Sequence, residues 1–294
     1  MFQWPPPRRS FTLEVAVPAS ILSTEQTLEL KTIKAGLVAR ACSIYRVDVI
    51  RVYIDRADAW LDADLLYKLL EYARTPPYLR RRLYPLRREY SYAGLLPPLQ
   101  LPTHGAGGPR PGEYREALVL ETRRGMLLLD AGLGRPVKAR GRARRGSLVL
   151  VRVESIDPPR VSLAEDAAVY RGYSVRLYSS LRTAARRNTS TLIIATDKHG
   201  TPIDEVEDGL LEDIKSAKRV IVLFGSPKET LEEIAAREGF DMKSHADYTI
   251  NTIPLQGTLT VRTEEAIHAT LSIINRLTWR IDRAEQETPG PRRG

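Results

Sequence analysis

Two stretches of this chain have the residue types and spacing to hold a ligand. The first is Asn251-Thr252-Ile253-Pro254-Leu255-Gln256-Gly257-Thr258. It follows the apolar run Tyr248-Thr249-Ile250 and leads, through residues 259–266, into an amphipathic run carrying Ile267, Leu271, Ile274 and Leu277. A strand enters and a helix leaves, and loops held between rigid elements are where binding groups concentrate. Pro254 lacks an N–H and stops further strand pairing, while Gly257 permits a sharp turn or a close approach of backbone to ligand. Thr263 reads as the N-cap of the helix, with Glu264 and Glu265 in its first turn, where acids favour the dipole. The second stretch, Phe224-Gly225-Ser226-Pro227-Lys228-Glu229, also follows a buried strand. Ser226 has the position of an N-cap, Pro227 the first helical position and Glu229 that of a capping-box acid. Free N–H groups there sit at a strand's C-terminal end, where open α/β sheets bind ligands. An ordinary strand-to-helix connection accounts for the same residues, so the local pattern leaves both readings open.

A third feature is electrostatic. Lys138, Arg140, Arg142 and Arg144 recur at every second position, flanked by Arg135 and Arg145. In an extended chain that period puts the cations on one side, as a surface tracking phosphates needs; a solvated hairpin tip is the alternative. No aromatic residue is interleaved, so base stacking is not indicated. The chain carries a net charge of +9, which attracts polyanions and makes nucleic acid the first partner to consider. His104, His199, His245 and His268 show no metal-ligand spacing, and no metal is expected. No apolar run approaches the ~20 residues of a membrane span, and the N-terminus lacks a signal-like apolar core. With one cysteine, Cys42, in a helical pattern, no internal disulfide is possible. A cytoplasmic, soluble protein is expected.

The elements that must position these residues read as strand, helix, strand, helix. Residues 11–17 alternate as a strand, Ser23 and Gln26 form a capping box before a helix through Leu28 to Ala41, residues 47–54 are a continuously apolar strand, and 61–72 a second helix. That order is the signature of an α/β domain with a parallel sheet. Residues 76–112 break the rhythm with Pro, Gly and Arg, including Arg80-Arg81-Arg82 and Arg87-Arg88. Short β-like runs at 115–120, 125–130, 137–140 and 147–153, separated by Gly turns, then suggest a small antiparallel barrel. After Pro158-Pro159 the α/β rhythm resumes, with buried strands at 191–196 and 219–224.

Tyr92-Ala93-Gly94-Leu95-Leu96-Pro97-Pro98-Leu99, Tyr114-Arg115-Glu116, Tyr170-Arg171-Gly172-Tyr173, Phe224-Gly225-Ser226-Pro227 and residues 251–266 together resemble the archaeal and eukaryotic SPOUT-class RNA methyltransferases. Arg171 stands where the family phrase has tryptophan, and the turn after Pro227 lacks a glycine often found there. The resemblance implies an α/β domain with a mostly parallel sheet and a trefoil knot, interrupted by a small antiparallel OB-like β-barrel. Its expected division is 1–104 and 166–283 for the knotted domain, 105–165 for the basic barrel and 284–294 for a flexible tail. It further implies a homodimer binding S-adenosyl-methionine. Carried over by position, the cofactor walls are Ala195, Thr196 and Asp197; Phe224, Gly225 and Ser226; and Ile250, Asn251, Ile253, Pro254, Leu255, Gly257 and Thr258.

Methyl transfer from a sulfonium needs proximity, orientation and, for an N–H acceptor, removal of a proton. Arg115 and Glu116 are the candidate catalytic pair: an arginine for a phosphate or developing oxyanion, and a carboxylate for a proton. An Arg–Glu pair opening a barrel strand is the structural alternative. The expected substrate is RNA, ribosomal RNA by resemblance, with a uridine base nitrogen as acceptor and Arg135, Lys138, Arg140, Arg142, Arg144 and Arg145 holding its phosphates. Methylation of a protein side chain, or a non-catalytic role in RNA binding and ribosome assembly, are the alternatives.

Overall fold

The computed structural model of the chain describes residues 2–105 and 107–287, with side chains up to Ile281. The first part runs β1 (Thr12–Pro18), α1 (Leu28–Ile44), β2 (Val49–Tyr53), α2 (Trp60–Arg74) and α3 (Pro77–Leu83). The chain then makes β3 (Tyr114–Arg123), β4 (Met126–Asp130), β5 (Val137–Arg140), β6 (Leu148–Ile156) and β7 (Pro159–Leu163). It returns as β8 (Ser174–Tyr178), α4 (Leu181–Ala184), β9 (Thr191–Pro202), α5 (Ile203–Ser216) and β10 (Arg219–Leu223). The last elements are α6 (Leu231–Arg237), α7 (Met242–His245), β11 (Tyr248–Asn251) and α8 (Thr263–Glu287).

Six strands form one sheet in the order β11-β9-β10-β1-β2-β8, and every pairing is parallel. Both faces are covered, which is why β2 reads as a continuous apolar run. On one face Leu13, Val15, Ile50, Ile194 and Val222 pack against α1, α2, α5 and α8; on the other Ala16, Ile193, Ile221 and Leu223 pack against α4, α6 and α7. The expected alternation of β1 therefore has no solvent side. Glu14, its polar interruption, is 1% exposed and is held by Arg51 and by Arg219 Nε at 2.9 Å. Paired carboxylate and guanidinium groups are the condition under which such charges stay buried.

The other five strands form an antiparallel, barrel-like sheet in the order β5-β4-β3-β6-β7, with its own core of Ala117, Val119, Leu127, Leu129, Val151 and Val153. Its two edge strands meet: a side chain on Gly141, just after β5, would collide with Leu163 of β7. The parallel sheet and inserted antiparallel barrel agree with the sequence reading. The barrel has one strand more than the four β-like runs, because β7 starts at Pro159, where Pro-Pro reads as an end of strand structure.

Three further boundaries differ. Ser23 does not cap α1: it lies in a 3-10 turn (Ala19–Thr24) that turns Ile21 and Leu22 into the core, and Thr27 caps instead, accepting from Leu30 N at 3.2 Å. Residues 77–83, within the stretch read as irregular, form α3 with Pro77 at its start. Finally, α8 continues to Glu287, past the end expected at Arg283; residues 288–294 of the expected tail lie outside the described residues.

Candidate functional site

Chain order moves from β9 inward to β10, beside β1, and then back outward to β11 on the far side of β9. A sheet reverses direction at such a place, and the crevice beyond its strand ends is where α/β folds hold ligands. A cavity of about 810 Å³ lies there, lined by residues 196–199 after the buried part of β9, 224–231 after β10 and 250–253 at the end of β11. Residues 259–264 and the chain around Thr24, Glu25 and Lys34 close its remaining sides. The volume suits a ligand of nucleoside-cofactor size.

Each wall is held by a local device. β11 pairs with Ile194 and Ala195 of β9 and then skips to Thr201 and Pro202, leaving residues 196–200 without a partner on β11. Gly200 makes the skip possible, since a Cβ there would lie 2.7 Å from the carbonyl carbon of Ile250. Thr196 Oγ1 donates to Leu223 O at 2.9 Å, and Asn251 Nδ2 donates to Lys198 O at 2.8 Å while its Oδ1 accepts from Ile253 N at 2.9 Å. Ser226 caps, but only a single turn: its Oγ accepts from Glu229 N at 2.9 Å, and Glu229 O accepts from Ser226 N at 3.0 Å. The helix itself, α6, starts later under Thr230, whose hydroxyl accepts from Glu233 N while the Glu233 carboxylate accepts from Thr230 N at 2.7 Å. Two consecutive capping-box patterns, Ser226–Glu229 and Thr230–Glu233, are present in the sequence, and the second one makes the helix. Thr263 is likewise inside α8 and not its cap; Arg262 N donates to Glu265 Oε2 at 2.9 Å, and Thr263 Oγ1 donates to Gly225 O at 3.4 Å, tying the third wall to the second.

The structure brings Thr196, Asp197, Phe224, Gly225, Ser226, Ile250, Asn251 and Ile253 to this one cavity. Ala195 lies just beneath it, 1% exposed in the core shared with α6. Pro254, Leu255, Gly257 and Thr258 turn outward and do not line it; Leu255 takes a left-handed φ of 54° and is fully exposed. Gly257 has neither a left-handed φ nor any atom within 4 Å of a would-be Cβ, so the glycine that the fold requires is Gly200 and not Gly257.

One cluster on the wall has no counterpart in the sequence reading. Lys34 of α1 places Nζ 2.7 Å from Glu25 Oε1, 3.4 Å from Glu264 Oε1 and 2.5 Å from Thr24 Oγ1, with the lysine and Glu264 side chains 6% and 5% exposed. The Lys34 hydrogen bond holds the Glu25 carboxyl below the usual carboxylate range. Arg262, also on the wall, adds a second cation acting on Glu25, so the two carboxylates are held by two cations. A lysine inside an apolar helical pattern at Lys34, an acid two residues before the Thr27 cap, and Glu264 in the first turn of α8 are the signals that could have pointed to it.

Arg115 and Glu116 are not among the cavity-lining residues. Arg115 is 2% exposed: Nε donates to Glu113 at 2.6 Å, Nη1 donates to Ala131 O and Gly132 O, and the guanidinium lies 4.7 Å over the Tyr78 ring. Tyr78 of α3 in turn donates to Thr103 O and Glu116 O. This is the joint between barrel and parallel sheet. The Glu116 carboxyl is pushed above its ordinary range by burial, with Arg74 at 3.9 Å opposing the shift.

His104 belongs to the same joint. It is 5% exposed, its Nε2 donates to Arg74 O at 2.8 Å, and burial pushes it down to about 4. The folded chain keeps this imidazole neutral, while below about pH 6.5 the unfolded chain takes up the proton. Stability is therefore lost as pH falls from 6.5 towards 4, by about 3 kcal/mol at most from this group. Glu116 acts in the opposite sense, since its penalty fades as it protonates. His104→Gln keeps an N–H donor without titrating. Urea midpoints at pH 7.5 and 4.5 should fall less in the variant than in the wild type, and equal falls would refute the assignment.

Among the six basic residues, Lys138 and Arg140 project from β5 on the exposed side, between buried Val137 and Ala139. β5 ends at Arg140, so the two-residue period extends no further: Arg135 precedes the strand, and Arg142, Arg144 and Arg145 lie in the following turn, all exposed. None of the six side chains has an ion pair or hydrogen bond among the described residues.

Residues 12–274 match the family described as "Putative RNA methyltransferase". An uncharacterized protein of Haloarcula marismortui is 32% identical over 280 residues, covering 90% of this chain and 98% of its own length. The human 28S rRNA (uridine-N(3))-methyltransferase is 30% identical over 301 residues, covering 90% of this chain and 78% of its own. Among solved structures, the SpoU methyltransferase AviRb of Streptomyces viridochromogenes in complex with AdoMet aligns over 94% of this chain and 62% of its own, at 13% identity and a TM-score of 0.35. That likeness is too slight to build on. The family match spans both parts of the fold and all three walls of the cavity, and by it this chain belongs to the RNA methyltransferase family.

Proposed function

We propose that the chain is an S-adenosyl-methionine-dependent methyltransferase acting on ribosomal RNA, with a uridine base nitrogen as acceptor. The observation that carries this is the single cavity at three converging strand ends, in a chain that shares 30% of its residues with a protein named for uridine-N(3) methylation of 28S rRNA. The wall residues suit the cofactor. The partly exposed Ile253 side chain offers apolar surface to an adenine, while Phe224 and Ile250, buried in the core, back the wall behind it. Bound there, the cofactor supplies an electrophilic methyl group. The chain's own task is to orient it and the acceptor and to keep water out.

We assign direct contact to Thr196, Asp197, Phe224, Gly225, Ser226, Ile250, Asn251 and Ile253, and an outer lip to Pro254, Leu255, Gly257 and Thr258. Arg115 and Glu116 are assigned to orienting the barrel, not to chemistry, because they lie outside the cavity and Nε and Nη1 of Arg115 are taken up by Glu113, Ala131 and Gly132. Arg135, Lys138, Arg140, Arg142, Arg144 and Arg145 are assigned to RNA phosphates. The proposed organisation is a knotted SPOUT domain, 1–104 and 166–283, around an OB-like barrel, 105–165, in a cytoplasmic homodimer. Support for the dimer is the stripe Leu30, Ile33, Leu37 and Ile44 on α1, each more than a third exposed at helical spacing. Among the described residues no helix is long and apolar enough to cross a membrane.

Calorimetry with S-adenosyl-methionine, joined to mass-spectrometric mapping of ribosomal RNA in cells lacking the gene, tests the reading. Ile253→Asp is expected to weaken cofactor binding at least tenfold, and the wild-type gene alone should restore a missing methyluridine. No cofactor binding by the folded wild type would sink the enzymatic reading, and methyl transfer to a protein instead would replace the substrate.

A further inference from the structure

The basic residues of the barrel continue onto the parallel-sheet domain. Residues 80–90 hold five arginines against one glutamate, and the fold accounts for only part of them. Arg80 turns inward, donating to Thr75 O and Ala73 O at 3.0 Å and lying 4.9 Å over the Tyr72 ring. Arg82 reaches across to the barrel, with Nε 3.0 Å from Asp130 Oδ2 at the end of β4. Arg81, Arg87 and Arg88 are exposed and have no ion pair or side-chain hydrogen bond among the described residues. Glu89, the one acid in the stretch, is engaged by Lys68 at 2.9 Å.

These three arginines are displayed by a rigid base. Tyr72, Tyr84 and Tyr90 pack ring against ring with centroids 5.0 to 5.3 Å apart, and the Thr75 and Tyr84 hydroxyls are hydrogen-bonded at 2.9 Å. On the barrel side, the Tyr78 hydroxyl and the Arg115 guanidinium lock α3 to the roots of β3 and β4. The Arg82–Asp130 contact fixes direction as well. β4 and β5 are antiparallel, with Leu129 opposite Val137, so the Asp130 end of β4 lies beside the start of β5, where Arg135 stands. From there Lys138 and Arg140 continue along the exposed side, about 6.7 Å apart for two residues of strand. Cations left unpaired in a rigid row repel one another unless a polyanion covers them.

We propose that the α3 platform, through Arg81, Arg87 and Arg88, is a second RNA-binding surface that prolongs the β5 row into one phosphate track across the barrel-to-sheet joint. It rests on the reading of the chain as an RNA methyltransferase, and extends it by placing part of the substrate's backbone on the α/β domain itself. Because the contacts are to phosphates, they confer affinity and position, and sequence is read elsewhere.

The test uses the full chain, poly(U) as a sequence-independent probe and deproteinised large-subunit ribosomal RNA as the second. Arg81→Ala/Arg87→Ala/Arg88→Ala should weaken both at about 0.1 M salt by roughly ten- to a hundredfold, and should flatten the slope of log affinity against log salt by about 2. Cofactor affinity and thermal midpoint should stay close to wild-type values, since all three side chains are exposed and none makes an ion pair or side-chain hydrogen bond among the described residues. Lys138→Ala/Arg140→Ala should flatten the slope independently, and the combined variant should lose the sum. Unchanged poly(U) affinity and slope in the triple variant would overturn the platform while leaving the methyltransferase reading intact. Normal cofactor-independent RNA binding in a wild type that binds no cofactor would overturn that reading and leave the platform standing.

Discussion

Replacing Gly200 with alanine is expected to abolish cofactor binding and to lower stability by about 3 kcal/mol, near the upper end for overpacking. The added methyl would run into the backbone of β11, 2.7 Å from Ile250 C, 2.9 Å from Thr249 O and 3.0 Å from Ile250 N. Side chains can rotate away from such a clash, whereas a paired strand can yield only by moving. Moving β11 would undo its register with Thr201 and Pro202, on which the outward course of residues 196–200 depends. The wall carrying Thr196 and Asp197 would then collapse or shift, and Asn251 would lose its bond to Lys198 O. Gly257→Ala is the control. Its Cβ meets nothing within 4 Å, so stability should hold or rise slightly, and binding should change little. Urea titrations and calorimetry on the two variants separate these outcomes. A Gly200→Ala protein that melts with the wild type and binds normally would refute the pinch between β9 and β11.

That contrast shows where sequence reasoning reached and where it stopped. The strands of the parallel sheet were legible because covering both faces leaves an unbroken apolar run, as in β2 and β10. The stretches at 224–226 and 250–253 stood out because they follow such runs, and α/β sheets bind ligands beyond their strand ends, whereas 196–197 was carried over from the family resemblance. What the walls do next was not legible. Whether a loop folds over the cavity or away from it depends on backbone angles such as the left-handed φ of 54° at Leu255, and on contacts made across the sheet. The same limit explains the misplaced caps. Ser23, Ser226 and Thr263 all have cap chemistry, but Ile21 and Leu22 bury ahead of α1, and Thr230 competes with Ser226 four residues later. Arg115 illustrates a different limit. Its residue type suits oxyanion stabilisation as well as it suits a buried joint, and the placing of Glu113, Tyr78 and the Ala131 carbonyl around it is not written in the local sequence.

Removing the Lys34 amine, as in Lys34→Met, is expected to have the largest effect of any single change in the cavity wall. Taking one partner from a buried ion cluster leaves its counter-charges unpaired, at a cost of about 3–5 kcal/mol. Here two carboxylates, Glu25 and Glu264, would face each other with side-chain exposures of 16% and 5%. The pH dependence gives the prediction its sign. In the wild type, Glu25 is held below the usual carboxylate range chiefly by its hydrogen bond to Lys34, so its contribution is present above the ordinary value of about 4.5 and lost as pH falls through the lowered one. In the variant that contribution is gone, and protonation now relieves repulsion. The stability gap between wild type and Lys34→Met should therefore be widest near pH 7 and narrow towards pH 4. His104 titrates equally in both proteins and drops out of the difference. Lys34→Met/Glu264→Gln should recover more than half of the loss at pH 7, because Glu25 is then the one carboxylate left beside the methionine and keeps the attraction of Arg262. A gap that is constant with pH, or a double variant no better than the single one, would mean that Lys34 matters through packing of its stem in α1 and not through its charge.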